Sequence, residues 1–286
     1  MNGITGYRVG LVLLKRSVIA WQHDRASLLA AALAFYTTFS LAPLLVIGIA
    51  IASLIFNQET VQQSVLEQIQ LAIGREGAST VQAMIAAQLQ QRSGFLPTVT
   101  SVGVMVFGAS IVFNQLQESL NLIWHVNPNW GIVRGFLLAR INAFLMAVST
   151  GFLMLCALVL STGITVLSQG MGKVFPGASA IVNFIDPLIS MGLIALAFAV
   201  IYKVVPHIKI AWGDVWLGAV MTTLLFNLGK FLIGLYLSHS GINSAYGAAG
   251  SLVAILTWVY YSAQILLFGA EFTKIYAHTY GSHRHR

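Results

Sequence analysis

Thr223, Asn227 and Lys230 fall at i, i+4 and i+7 inside a long apolar stretch. On a helix that spacing sets them on one face. A lysine there is costly to insert, by about 2.5–3.5 kcal/mol on insertion scales. Three arrangements can offset the cost. The stripe can contact an anion in a cavity, Lys230 can pair with a buried carboxylate, or the lysine can snorkel outward. Asp186, just before Pro187, is the candidate carboxylate. Its plainer reading is a helix cap.

Asn114, Glu118, Asn121 and His125 repeat at i, i+4, i+7 and i+11 in an earlier stretch. Arg140 begins the next apolar run at a comparable depth, so a Glu118–Arg140 pair is expected. Thr257, Gln264 and Glu271 follow at steps of seven, and Lys274 stands close enough to neutralise Glu271. Each stripe can line a cavity or pack one helix on another. Either way it is expected to face into a bundle.

Signatures of other chemistry are missing. The chain contains no Gly-x-x-x-x-Gly-Lys loop and no His-Glu-x-x-His pair. Its eight acidic residues are too scattered for a two-metal site. Cys156 is the single cysteine and reads as a small buried hydrophobe. Ser282 to Arg286 holds two histidines beside two arginines, and reads as a solvated tail rather than a metal tract. The residues therefore imply no enzyme, no cofactor and no metal.

The elements that carry these residues follow from the charge pattern. Of 286 residues 57% are hydrophobic and 8% charged, where a soluble domain carries about 25% charged. Lipid-solvated surfaces need no such charge. The excess of +7 is spread between apolar runs and builds no basic face, so no nucleic-acid partner is implied. A spanning helix needs about 20 mostly apolar residues. Spans are predicted near 28–56, 95–122, 137–167, 184–205, 214–237 and 248–275 of one membrane domain, 1–286. Pro43 is expected to kink the first of them.

With the N-terminus inside, eleven Lys and Arg fall in cytoplasmic segments and three outside. Trp21, Trp124, Trp130, Trp212 and Trp216 gather near the inner interface; Trp258 does not. The expected location is a bacterial inner membrane, with both termini cytoplasmic. Residues 7–25 read as an amphipathic helix on the anionic inner leaflet. Residues 58–93 read as one or two helices outside the membrane, with Val61, Val65, Ile69 and Ala72 at helical spacing.

Several motifs resemble one family. They are Ala34-Phe-Tyr-Thr-Thr-Phe-Ser-Leu-Ala-Pro-Leu-Leu45, Asn121-Leu-Ile-Trp-His-Val126, Ala245-Tyr-Gly-Ala-Ala-Gly-Ser251, Trp258-Val-Tyr-Tyr-Ser262 and Gly269-Ala-Glu-Phe272. Together they are similar to the YihY/BrkB family of bacterial inner-membrane proteins, over nearly the whole chain. The resemblance implies six spans. That family once carried a ribonuclease BN label now regarded as misplaced. Its members have been linked to serum resistance, and one branch to lipopolysaccharide export.

Two functions follow as expectations. Stripes that line a cavity fit a transporter or exporter of an amphipathic or lipid-linked anion of the envelope. Stripes consumed by contacts between helices fit a non-transporting scaffold for envelope assembly. A membrane hydrolase or ribonuclease is not expected. Membrane lipids are the implied partners, and the oligomeric state is left open.

Overall fold

The computed structural model describes residues 3–53, 57–90, 95–126, 178–239 and 250–284. Among them are seven helices and no strand. They are α1 Gly3–His23, α2 Ala26–Ala52, α3 Gln58–Gln90, α4 Phe95–Ile123, α5 Ala178–Val204, α6 Trp212–His239 and α7 Gly250–Thr279. The stretch expected as the third span, with Arg140 and Cys156, lies outside the described residues. So do residues 240–249, which hold the glycine-rich Tyr246-Gly-Ala-Ala stretch.

Local chemistry explains the helix ends. Asn57 precedes α3, and its side-chain oxygen accepts the Glu59 N–H at 2.9 Å, an N-cap bond. Glu59 then sits in the first turn, where the helix dipole favours an acid. α1 stops at the Asp24–Arg25 turn, with Arg25 left-handed at φ 51°. α4 stops the same way. His125 adopts φ 52°, its N–H reaches Leu122 O at 3.0 Å, and Val126 N–H reaches Asn121 O at 2.9 Å. This is a Schellman-type end, with histidine where glycine is usual. α5 begins at Ala178, so Asp186 and Pro187 lie within the helix and not at its cap.

α7 is the central helix, packed against α2, α6, α1, α3 and α4. Two apolar clusters stack along it. One joins Ala30 and Leu33 of α2, Leu116, Leu120 and Ile123 of α4, Phe198 and Tyr202 of α5, and Leu267 and Ala270 of α7. The other joins Val46 and Ile49 of α2, Val61, Val65, Val81 and Ile85 of α3, and Ile255 and Val259 of α7. α3 thus lays its apolar stripe over the ends of α2 and α7, as a single helix.

Among the described residues, Trp212–Leu232 in α6 and Leu252–Thr279 in α7 are long and apolar enough to cross a membrane. Ala26–Leu41 and Leu188–Val204 are shorter apolar stretches. Their outward faces are greasy. Leu28, Phe35 and Phe39 of α2 and Leu217, Val220, Leu224, Leu228 and Phe231 of α6 are all exposed. Water would penalise that surface, whereas lipid would not.

α6 and α7 approach closely through a reciprocal pair of motifs. Gly218-x-x-x-Thr222 on α6 faces Gly269-x-x-x-Thr273 on α7. A Cβ on Gly218 would strike Thr273 Oγ1, and one on Gly269 would strike Thr222 Oγ1. Each threonine donates to the carbonyl of its own motif's glycine at 2.7 Å. No hydroxyl is left bare, and small residues let the backbones meet. Tyr202 of α5 joins the crossing. Its hydroxyl lies 2.9 Å from Thr222 Oγ1 and donates to Leu266 O at 2.8 Å.

Candidate functional site

Charged side chains gather at one end of the bundle. There the α1–α2 turn, the last turns of α4, α5 and α7, and the start of α6 meet. Lys274 projects from α7, three residues after Glu271, so both share a face. Its Nζ lies 2.8 Å from Asp24 Oδ2, 3.3 Å from Glu271 Oε2 and 3.2 Å from His125 Nε2. An ammonium has three protons and no lone pair. A bond from Lys274 to His125 therefore requires the tautomer that leaves Nε2 bare.

Asp24 is the hub on the other side. Besides Lys274 it receives His23 Nδ1 at 2.9 Å and lies 3.6 Å from His125 Nε2. Burial by itself pushes the Asp24 carboxyl up. The hydrogen bonds from Lys274 and His23 outweigh that and hold it down at about 2. Burial grades across the cluster. Glu271 is fully enclosed at 0% exposure and Lys274 is 9% exposed. The His125 side chain is 62% exposed. Glu271 Oε1 is buried and has no hydrogen-bond partner among the described residues. Trp21 Nε1 and Gln264 Oε1 are orphaned in the same way. Buried polar atoms are nearly always paired, so such exceptions mark places worth a functional reading.

Backbone strain coincides with the cluster. Among the described residues, Arg25 and His125 are the non-glycine positions with positive φ. One follows Asp24 in the chain, and the other supplies the cluster's exposed imidazole. Left-handed residues without glycine's freedom concentrate where surrounding contacts hold them for a purpose.

A second set of polar contacts locks the same end. Asn121 Oδ1 accepts the His207 backbone N–H at 2.8 Å, and its Nδ2 meets His207 Nδ1 at 2.9 Å. Burial pushes the His207 imidazole pKa down, which suits a ring nitrogen that accepts. Gln117 Nε2 donates to Val205 O at 3.2 Å. Lys203 Nζ donates to Ile210 O and lies 5.7 Å from the centre of the Trp212 ring. The tail, expected to be solvated, is docked instead. Ser282 gives Asp214 Oδ2 both its N–H, at 2.9 Å, and its hydroxyl, at 2.7 Å. The buried His283 contacts Lys209 O through Nε2 at 2.9 Å and packs against Trp124 and His278.

The stripes read from spacing divide between these surroundings. On α4, Asn121 is buried, Asn114 is half-buried and Glu118 is exposed. On α6, Thr223 is buried and Asn227 half-buried, each bonded to a carbonyl of its own helix, at 2.8 and 2.9 Å. Lys230 is exposed, beside exposed Leu228 and Phe231. On α7, Thr257 bonds to Val253 O at 2.7 Å, Gln264 is half-buried and Glu271 is enclosed. Among the ten candidates, the described contacts connect Glu271 to the ion cluster and Asn121 to the α5–α6 loop. Arg140 lies outside the described residues, and the Asp186 side chain is not described. Spacing alone did not find Asp24, Tyr202, His207, Asp214 or Ser282. The Glu271–Lys274 step of three was a visible signal for the pair.

A family model described as Virulence factor BrkB matches residues 18–286. A UPF0761 membrane protein of Pseudomonas aeruginosa (strain LESB58) is 32% identical over 254 residues, covering 86% of this chain and 58% of that protein. A UPF0761 membrane protein of Alteromonas mediterranea is 25% identical over 256 residues, covering 88% of this chain and 83% of that one. The chain thus spans less than two thirds of the length of the Pseudomonas relative. No solved structure matches. The family match over nearly the whole chain, the relatives' membrane names and the apolar helices agree, and this membrane protein belongs to the Virulence factor BrkB family.

Proposed function

We propose that the protein moves an amphipathic or lipid-linked anion of the cell envelope, and that it works in the inner membrane with both termini cytoplasmic. The eleven-to-three division of basic residues supports that orientation. The observation that carries the transport reading is the exposed side of α1. It sets Lys15 and Arg16 among the exposed side chains Leu11, Val12, Val18 and Ile19. The opposite side, with Leu13 and Ser17, is buried. A surface both basic and apolar offers one chemistry to an acidic headgroup and another to its chains. It adjoins the ion cluster through Asp24, one residue beyond α1. No catalytic or metal-borne step is part of this reading.

A scaffold remains the second reading. Its support is the way Thr223, Asn227, Thr257 and Ser262 spend their polar atoms on their own helices.

Reconstitution separates the two. Vesicles with a fluorescent short-chain anionic phospholipid in one leaflet should show protein-dependent transfer to the other. Each basic residue near an anionic surface contributes about 1 kcal/mol. Lys15→Gln with Arg16→Gln should therefore weaken binding to anionic vesicles roughly thirty-fold, with little change on neutral ones. Wild-type protein that neither moves nor binds anionic lipid would reject transport in favour of the scaffold.

A further inference from the structure

We propose that Asp24 and Glu271 form a proton-binding site, in which one proton shared by the two carboxyls, with Lys274 beside them, holds the α1–α2 turn against α7. Transport of a lipid is not required for this, and the readout below is protonation itself.

The case begins with charge. Two carboxyl groups and one ammonium meet in the cluster. An imidazole that accepts from Lys274 at Nε2 adds no charge to the set. With both acids ionised, a buried group would hold one uncompensated negative charge. Burying a charge is tolerated only when it is paired and hydrogen-bonded. Lys274 cannot serve both acids equally. Its nitrogen is nearer Asp24, at 2.8 Å, than Glu271, at 3.3 Å. Glu271 is also the more enclosed of the two and keeps one oxygen with no partner among the described residues.

A proton on Glu271 resolves these faults together. It removes the negative charge from the orphaned carboxyl and brings the set to neutrality. It also gives the carboxyl a donor. The Asp24 and Glu271 carboxyls meet at one ammonium, 2.8 and 3.3 Å from its nitrogen, but two carboxylates have no hydrogen to place between them. One added proton creates that bond. Asp24 keeps its charge, because Lys274 and His23 both donate to it.

The site also has an entry. His125 is exposed, with Nε2 3.2 Å from Lys274 Nζ and 3.6 Å from Asp24 Oδ2. A hydronium ion can give up a proton past the exposed imidazole to Asp24 and on to Glu271: one O–H bond of the hydronium breaks, water is released, and one O–H bond forms at Glu271. Loss of that proton leaves two facing carboxylates at the seam between the α1–α2 turn and α7, and their repulsion loosens it. Among the described residues, the charged and titratable groups that contact the pair are His23 beside Asp24 on the α1–α2 turn, His125 on α4 and Lys274 on α7.

Infrared difference spectroscopy on the full chain in lipid nanodiscs tests this, between about pH 5 and pH 10. A protonated-carboxyl carbonyl band should be present at the acidic end and disappear reversibly on alkalinisation. It should shift when wild-type protein carries carboxyl-labelled glutamate, and hold still with labelled aspartate. Glu271→Gln should abolish the band, while Glu118→Gln leaves it. The labelled wild type gives its answer even if a variant folds poorly. No titrating protonated band in wild type, a band that follows the aspartate label, or one that survives in folded Glu271→Gln would each overturn the proposal.

Discussion

Lys274 carries one positive charge among two carboxyls and an imidazole, so its removal strands acids that are already enclosed. Breaking a buried pair by deleting one partner costs about 3–5 kcal/mol. Lys274→Met is expected to lower the thermal midpoint in detergent accordingly, while Glu118→Gln, at an exposed position, leaves it in place. Asp24 sets a pH window. Its folded pKa of about 2 lies below the ordinary 3.8. A depressed carboxylate contributes stability above its unfolded value and loses it as pH falls through the folded one. Stability should therefore drop between about pH 4 and pH 2, and Asp24→Asn should flatten that decline. Unfolding midpoints across this range check it; equal slopes in wild type and variant would count against the ion pair. At this scale the sequence was partly readable. Glu271 and Lys274 lie three apart on one helix, so their contact follows from helical geometry. Asp24 lies 250 residues away from Lys274, and no spacing rule reaches that far. The α4 stripe shows the other limit. One helical face put Asn121 and Glu118 together, yet neighbouring elements bury the first and leave the second exposed.

Among elements, the crossing of α6 and α7 depends on two glycines. Side chains at Gly218 or Gly269 have no free volume, because a threonine from the partner helix occupies it. Gly218→Leu or Gly269→Leu should separate the helices and expose Thr222, Thr273 and the Tyr202 hydroxyl. Overpacking of this kind costs about 1–3 kcal/mol or more. Gly213→Ala on the same helix meets nothing within 4 Å and should be neutral. Comparison of detergent melting curves for the three variants decides the point. Helices coincide with five of the stretches expected as spans, and two of them, Trp212–Leu232 and Leu252–Thr279, are long and apolar enough to cross a membrane. The glycine contacts were not visible in the charge pattern. Small residues permit close approach, but only the helix packed opposite decides which of them are used.

At the scale of the whole molecule, the described residues tie one end by polar contacts and the other by apolar ones. At the first, the docked tail links Asp214 of α6, the α5–α6 loop and Trp124 after α4 to the end of α7. A tail of histidines and arginines gives no sequence sign of docking, because its partners come from three distant segments. At the other end α3 closes over α2 and α7 through Val61, Val65, Val81 and Ile85. Between them α7 runs the length of the described bundle and carries Glu271 and Lys274. The account therefore makes a single claim central: the α1–α2 turn is held to α7 through Asp24 and Lys274. A double-mutant cycle tests it most directly, with Asp24→Asn, Lys274→Met and the pair measured by thermal unfolding in nanodiscs. A direct ion pair predicts that the second substitution costs less once the first is made, by at least about 1 kcal/mol of coupling. Costs that add to within about 0.5 kcal/mol would contradict it.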